Sequence, residues 1–226
     1  MNYEVFGGNL PAVTIKLDAN ESIYTESGGM SWMTDGIVMK TDSKGGVLKG
    51  LGRMMSGESF FMNTYTASKS GEEITIASSF PGAIVVLDVT GGKEYICQKD
   101  AFLCAQPDVE LSMDTKRGIT GGLFGGEGFI MQRLKGNGLA FIEIDGSCKE
   151  MELAPGQKLK VDTGNVAAYE ASVKYSVETV KGIKNKIFGG EGLFLTTLEG
   201  PGKVWLQTMT MPSFAQRIIP FIPKKS

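Results

Sequence analysis

A chain of 226 residues with 42% hydrophobic and 21% charged side chains has enough apolar surface for a packed core, which excludes disorder over its whole length. Its net charge of −2 gives no electrostatic footprint for a nucleic-acid binder, and no run approaches the roughly 20 apolar residues of a membrane-spanning helix. The absence of histidine removes Ser-His-Asp and Cys-His catalysis, histidine-based zinc sites and the usual general base near neutral pH.

The N-terminal run from Met1 to Gly8 has no basic stretch leading into an apolar one, so no secretory signal is expected there. Cys97, Cys104 and Cys148 form an odd set without C-x-x-C spacing; buried, reduced thiols in a cytoplasmic protein fit better than a disulfide framework or a zinc site. The 31 glycines sit in short clusters between apolar runs, as expected where many strands reverse direction.

In chain order, a strand is expected at Glu21–Glu26, followed by Gly28–Met33. A strand opening at Gly57-Glu58-Ser59-Phe60-Phe61-Met62 then turns at Ser70-Gly71 and returns at Ile74–Ala77. The same order recurs with Lys93–Cys97, Ala101–Ala105, the run 123–134, the turn Gly136-Asn137-Gly138 and Leu139–Ile144. It recurs again with Gln157–Val161, Gly164–Tyr169, the run 187–198, Gly200-Pro201-Gly202 and Lys203–Thr208. Residues 123–134 and 187–198 both contain F-G-G-E-G, and each strand, glycine turn, strand unit reads as a β-hairpin. Strict alternation over Val173–Val180 predicts a strand with one buried and one wet face.

The pattern predicts an all-β fold of three tandem repeats, each a small sandwich or jelly-roll-like double-stranded β-helix, with very little helix. The boundaries are 1–86, 87–152, and 153–226 with a C-terminal tail. The one helix is expected at Ser213–Ile219, with Ser213 as N-cap and Pro220 ending it, packed as a plug on the last hairpin rather than lying on a membrane. Lys224-Lys225 reads as a solvated tail, and Trp32 and Trp205 as core.

Tyr3-Glu4-Val5, Gly50-Leu51-Gly52-Arg53 leading to Gly57-Glu58-Ser59-Phe60-Phe61, Pro81-Gly82, Val161-Asp162-Thr163-Gly164 and both F-G-G-E-G boxes stand in an order that resembles the mitochondrial-biogenesis AIM family, whose bacterial members are largely uncharacterised. The resemblance implies three domains similar to the tryptophan RNA-binding attenuation protein, and a homotrimer whose nine domains make a ring. It brings no catalytic residues and no cofactor. Where the family often has a histidine after D-T-G, this chain has Asn165, which removes a proton-transfer or metal role at that place.

Glu58, Glu127 and Glu191 occupy equivalent places, 69 and 64 residues apart. Matching carboxylates could bind a cation or a basic partner in a ring. The reading preferred here is structural, each carboxylate accepting backbone N–H bonds from its own glycine turn. Asp162-Thr163-Gly164 resembles the aspartic-protease triplet, but that chemistry needs two aspartates and a second D-T-G is missing, so a turn is expected.

The function expected from these features is non-enzymatic: an oligomeric binding or scaffold protein forming a closed ring of β-domains, without catalytic, cofactor or metal sites. Nucleic-acid binding rests only on the fold analogy of the resemblance, and the acidic balance opposes it. A carboxylate-dependent enzyme acting on a small ligand between repeats is the remaining alternative.

Overall fold

The computed structural model describes residues 1–42, 62–114, 130–179 and 194–223. The described chain is mostly β. Its first strands are β1 (Asn2–Phe6), β2 (Ala12–Leu17), β3 (Ser22–Glu26), β4 (Met30–Met33), β5 (Ile37–Asp42), β6 (Met62–Ala67), β7 (Glu72–Ala77) and β8 (Gly82–Asp88). Next come β9 (Tyr95–Gln98), β10 (Phe102–Ala105), β11 (Val109–Met113), β12 (Met131–Gly136), β13 (Leu139–Asp145) and β14 (Cys148–Leu153). The last are β15 (Lys158–Asp162), β16 (Val166–Glu170), β17 (Lys174–Thr179), β18 (Phe194–Glu199) and β19 (Gly202–Gln207), followed by helix α1 (Met211–Ile218).

The chain divides into two compact units, Met1–Gly92 with Phe102–Glu110 and Lys135–Glu143, and Lys93–Ala101 with Leu111–Leu134 and Ile144–Ser226. The first unit contains a four-stranded sheet ordered β1-β2-β7-β4 and a six-stranded sheet ordered β5-β6-β3-β10-β13-β8. Strand β2 shows how the sequence builds it: Val13, Ile15 and Leu17 alternate inward, while Thr14 and Lys16 point the other way. With Ile74 and Ile76 of β7 they pack against Ile23, Ile37, Tyr65 and Phe141 of the larger sheet, closing one sandwich core.

In the second unit a six-stranded sheet ordered β11-β12-β9-β16-β19-β14 covers a three-stranded sheet ordered β15-β18-β17. Leu198 of β18 and Val173, just before β17, meet Ile96, Met131, Leu153, Val166, Tyr169 and Val204. The Tyr169 and Tyr175 rings stack at 5.5 Å. The alternation expected after Val173 is present: Lys174, Ser176 and Glu178 are exposed, and Tyr175 and Val177 are half-buried.

The three strand, glycine turn, strand units are not hairpins. Strands β6 and β7, β12 and β13, and β18 and β19 lie in different sheets. The glycine turns carry the chain from one sheet to another. Gly136 shows why a glycine is needed without a tight hairpin turn. Its φ is +129°, and a Cβ there would stand 2.1 Å from the Asp108 carbonyl oxygen, which also accepts a hydrogen bond from Asn137 N at 3.1 Å. A third segment crossing close to the backbone, rather than a two-residue turn, selects the residue.

Two further expectations are corrected. Trp205 is core at 4% exposure, but Trp32 is 57% exposed on β4. The helix starts at Met211, earlier than expected, because Thr210 rather than Ser213 caps it: Thr210 Oγ1 accepts from Ser213 N, and Pro212 suits the first turn. No residue of α1 is buried, so it is not a packed plug.

Candidate functional site

Glu58, Glu127 and Glu191 lie outside the described residues. The strands that flank them do not: Asp42 pairs with Met62, Thr179 pairs with Phe194, and Asp114 N donates to the Met131 carbonyl at 2.9 Å. Each glutamate therefore belongs to a connection whose two ends stand side by side.

The carboxylates placed within the described residues hold backbone and cations together. Glu143, almost buried, accepts from Ser79 N at 2.6 Å and from the hydroxyls of Ser78 and Ser79. Arg133 bridges Glu94 and Asp114. Glu72 accepts from the Thr34 hydroxyl and from Gly36 N, and the Thr34 contact is the main cause of its lowered pKa. Each of these contacts ties a loop to a strand. Among the described residues, no group of three or more His, Cys, Asp or Glu side chains could hold a metal ion.

The D-T-G triplet is a clamped turn, as expected. Asp162 Oδ1 accepts from Gly164 N at 3.1 Å, and the Gly164 carbonyl accepts from both Gln98 Nε2 and Gln207 Nε2. Asn165 Nδ2 donates to the Gln207 carbonyl at 2.7 Å, so the residue standing in the family's histidine place serves the turn. Burial pushes the Cys97 thiol up to about 12 and Cys104 well above its usual value, leaving both inert.

The feature that no loop or core requirement explains is at the sheet edges. Strand β10 lies between β13 and β3, and β16 lies between β19 and β9. The two junctions share a register. Cys104 faces Thr25 and Ala105 faces Tyr24; Ala168 faces Cys97 and Tyr169 faces Ile96. Both strands also carry a β-bulge against their other neighbour, at Phe102/Cys104 and at Val166/Ala168.

Strand β4 has the same bulge against β7, at Met30/Trp32, which puts Trp32 in the place of Cys104 and Ala168. On the far side of the equivalence, Thr25 faces Asn63, Cys97 faces Gln132 and Val161 faces Thr196, so β15 corresponds to β3 and β9. Yet among the described residues β4 ends its sheet, and so does β15. Strands β10 and β16 are buried at all four positions from Phe102 to Ala105 and from Val166 to Tyr169; β4 exposes Ser31 and Trp32. Sequence reading misses this, because Met30-Ser31-Trp32-Met33 has the composition of a covered strand. The available signal was its alignment with Phe102–Ala105, which are apolar for a lateral neighbour that β4 lacks among the described residues.

The molecule is thus defined as an antiparallel β-sandwich protein with its unmatched features at two strand edges. The sequence profile described as "Mitochondrial biogenesis AIM24" matches residues 3–209. The chain belongs to that family. It is 31% identical over 225 residues to an uncharacterised protein of Streptococcus pyogenes serotype M6, covering 96% of this chain and 88% of the relative. The crystal structure of protein SPYM3_0169 from Streptococcus pyogenes, a structural genomics target, is similar with a TM-score of 0.80 and 27% identity, covering 98% of this chain and 99% of that one. No helix among the described residues is long and apolar enough to cross a membrane.

Proposed function

We propose that the protein is a non-enzymatic scaffold or binding protein that assembles with copies of itself, β15 of one copy pairing with β4 of the next. The observation that carries this reading is the shared register of the β3–β10 and β9–β16 junctions, against the edges of β4 and β15, which end their sheets among the described residues. Continuing that register places Trp32 opposite Val161 and Met33 opposite Lys160 of a second copy. Pairing gives the edge backbone groups partners and covers the Trp32 ring, both of which favour association.

A head-to-tail contact leaves one unpaired edge at each end of any open chain of copies, and closure removes both. The assembly proposed is a closed homotrimer in which each chain contributes three repeats, in keeping with the ring that the family resemblance implies. The two repeated junctions support counting three repeats, because each joins one strand set to the next. The Lys158 and Lys160 ammonium groups, paired with Glu199 and Glu178, keep the β15 edge soluble before it is covered.

Sedimentation velocity of the wild type and of Trp32→Glu tests this. The wild type sediments as an oligomer at micromolar concentration, and the variant as a monomer with an unchanged far-ultraviolet circular dichroism spectrum. A wild-type monomer, or a variant that assembles as the wild type does, contradicts the proposal.

A further inference from the structure

We infer that the segment from Met211 to Ile222 is a surface anchor for an anionic lipid bilayer. This inference stands on the segment's own residues and does not depend on how copies assemble. Helix α1 places Met211, Phe214, Ala215 and Ile218 on one face and Ser213, Gln216 and Arg217 on the other. A single 3₁₀ turn, Ile219–Phe221, continues the apolar stretch. Nothing in α1 is buried; Ile219 is 61% exposed, Phe221 85% and Ile222 57%. Large apolar side chains at this exposure lose free energy in water and regain it only when covered.

Charge identifies the cover. Residues 211–226 contain Arg217, Lys224 and Lys225 and no acidic side chain. The preceding 210 residues hold 20 basic against 25 acidic side chains, a net charge of −5. An apolar face in a segment whose charges are all basic, on a chain that is otherwise net acidic, complements a surface that is apolar inside and anionic outside. Another copy of this chain carries a net charge of only −5 over its first 210 residues, with acidic and basic side chains mixed, whereas an anionic bilayer is uniformly negative. Phosphatidylglycerol-type headgroups supply the anions, and the acyl boundary takes Phe221 and the isoleucines. A segment this short binds reversibly, so its affinity depends strongly on salt and on anionic lipid content.

The test is co-sedimentation of the full chain with vesicles of phosphatidylglycerol and phosphatidylcholine, and with vesicles of phosphatidylcholine alone. Binding is expected to the mixed vesicles only, and to fall as salt rises. Phe221→Ser with Ile222→Ser should weaken it at least about tenfold, and Arg217→Glu should weaken it without changing the fold. Circular dichroism of each variant separates loss of binding from loss of folding. Equal binding of wild type and the double variant overturns the inference, as does no binding to either vesicle. It is also overturned if the double variant loses self-association instead, since the face would then be covered by a second copy.

Discussion

Cys104 of β10 stands directly opposite Thr25 of β3, and the Thr25 hydroxyl donates to the neighbouring Leu103 carbonyl at 2.7 Å. That carbonyl belongs to the residue bulged out of the β10–β13 ladder, so the hydroxyl satisfies a group that the irregularity leaves over. The bulge recurs at Ser31 on β4, where the Ser31 hydroxyl accepts from Ala77 N at 3.1 Å, but no lateral strand follows among the described residues. The irregularity is kept in all three strands, and among the described residues it is covered in β10 and β16 and at the sheet edge in β4.

The crossover glycine gives the first prediction. Gly136→Ala meets both a positive φ and the Asp108 carbonyl, and should destabilise the protein by more than about 2 kcal/mol in urea unfolding. Gly8→Ala, at φ +59° with open space around it, should cost about 1 kcal/mol. Equal effects would show that the close approach at Asp108 is not what selects glycine.

Burial of the thiols gives the second. Cys97 and Cys104 are both fully enclosed and raised in pKa, whereas Cys148 is half-buried, its thiol raised by burial and by Glu150. Native protein treated with a thiol-selective disulfide reagent at mildly alkaline pH should react at Cys148 alone, and slowly. All three thiols should react in denaturant. Rapid native labelling of Cys97 or Cys104 would contradict the core packing described here.

Acid sensitivity gives the third. The Lys203 ammonium, donating at 2.6 Å, and then the Trp205 indole N–H hold Glu150 below its ordinary value of 4.5. A carboxylate with a depressed folded pKa contributes stability above its unfolded value, lost as pH falls through the folded one. The thermal midpoint of the wild type should exceed that of Glu150→Gln at neutral pH, and the gap should close below about pH 4. Parallel pH profiles would show that the Glu150 charge adds no stability.

A core truncation gives the fourth. Ile15 is completely buried between the two sheets of its unit, so Ile15→Val should cost about 1 kcal/mol and Ile15→Ala about 2–5 kcal/mol in urea unfolding. Near-equal losses would mean that the site collapses around the smaller side chain.

Much of the architecture was legible because period-2 alternation and glycine clusters report the pleat directly. Val13, Ile15 and Leu17, or Tyr175 and Val177, declare their inner face in the sequence. What alternation cannot report is which strand becomes a neighbour, and the glycine turns were misread for that reason. Gly136-Asn137-Gly138 has hairpin chemistry, but β12 lies between β11 and β9, both earlier in the chain, and not beside β13. Trp32 was misplaced by the same gap: an apolar residue in an apolar strand reads as core, whether its cover is in the same chain or in another. The helix boundary shifted because Thr210 and Ser213 are both good caps, and Pro212 decides between them by fitting the first turn. The three glutamates that the repeat made conspicuous fall outside the described residues, while the edges that the structure singles out carry no conspicuous chemistry.

The most direct test of self-association through β4 and β15 is a cysteine pair placed by the shared register. Trp32→Cys and Val161→Cys are combined in a chain whose three native cysteines are replaced by serine or alanine. Cysteine already stands in the corresponding place at Cys104, so the substitution suits the junction. After mild oxidation, non-reducing electrophoresis should show covalent species of two and three chains that reduction converts to one. Monomer bands alone, from protein whose native mass is oligomeric, would show that the copies meet elsewhere.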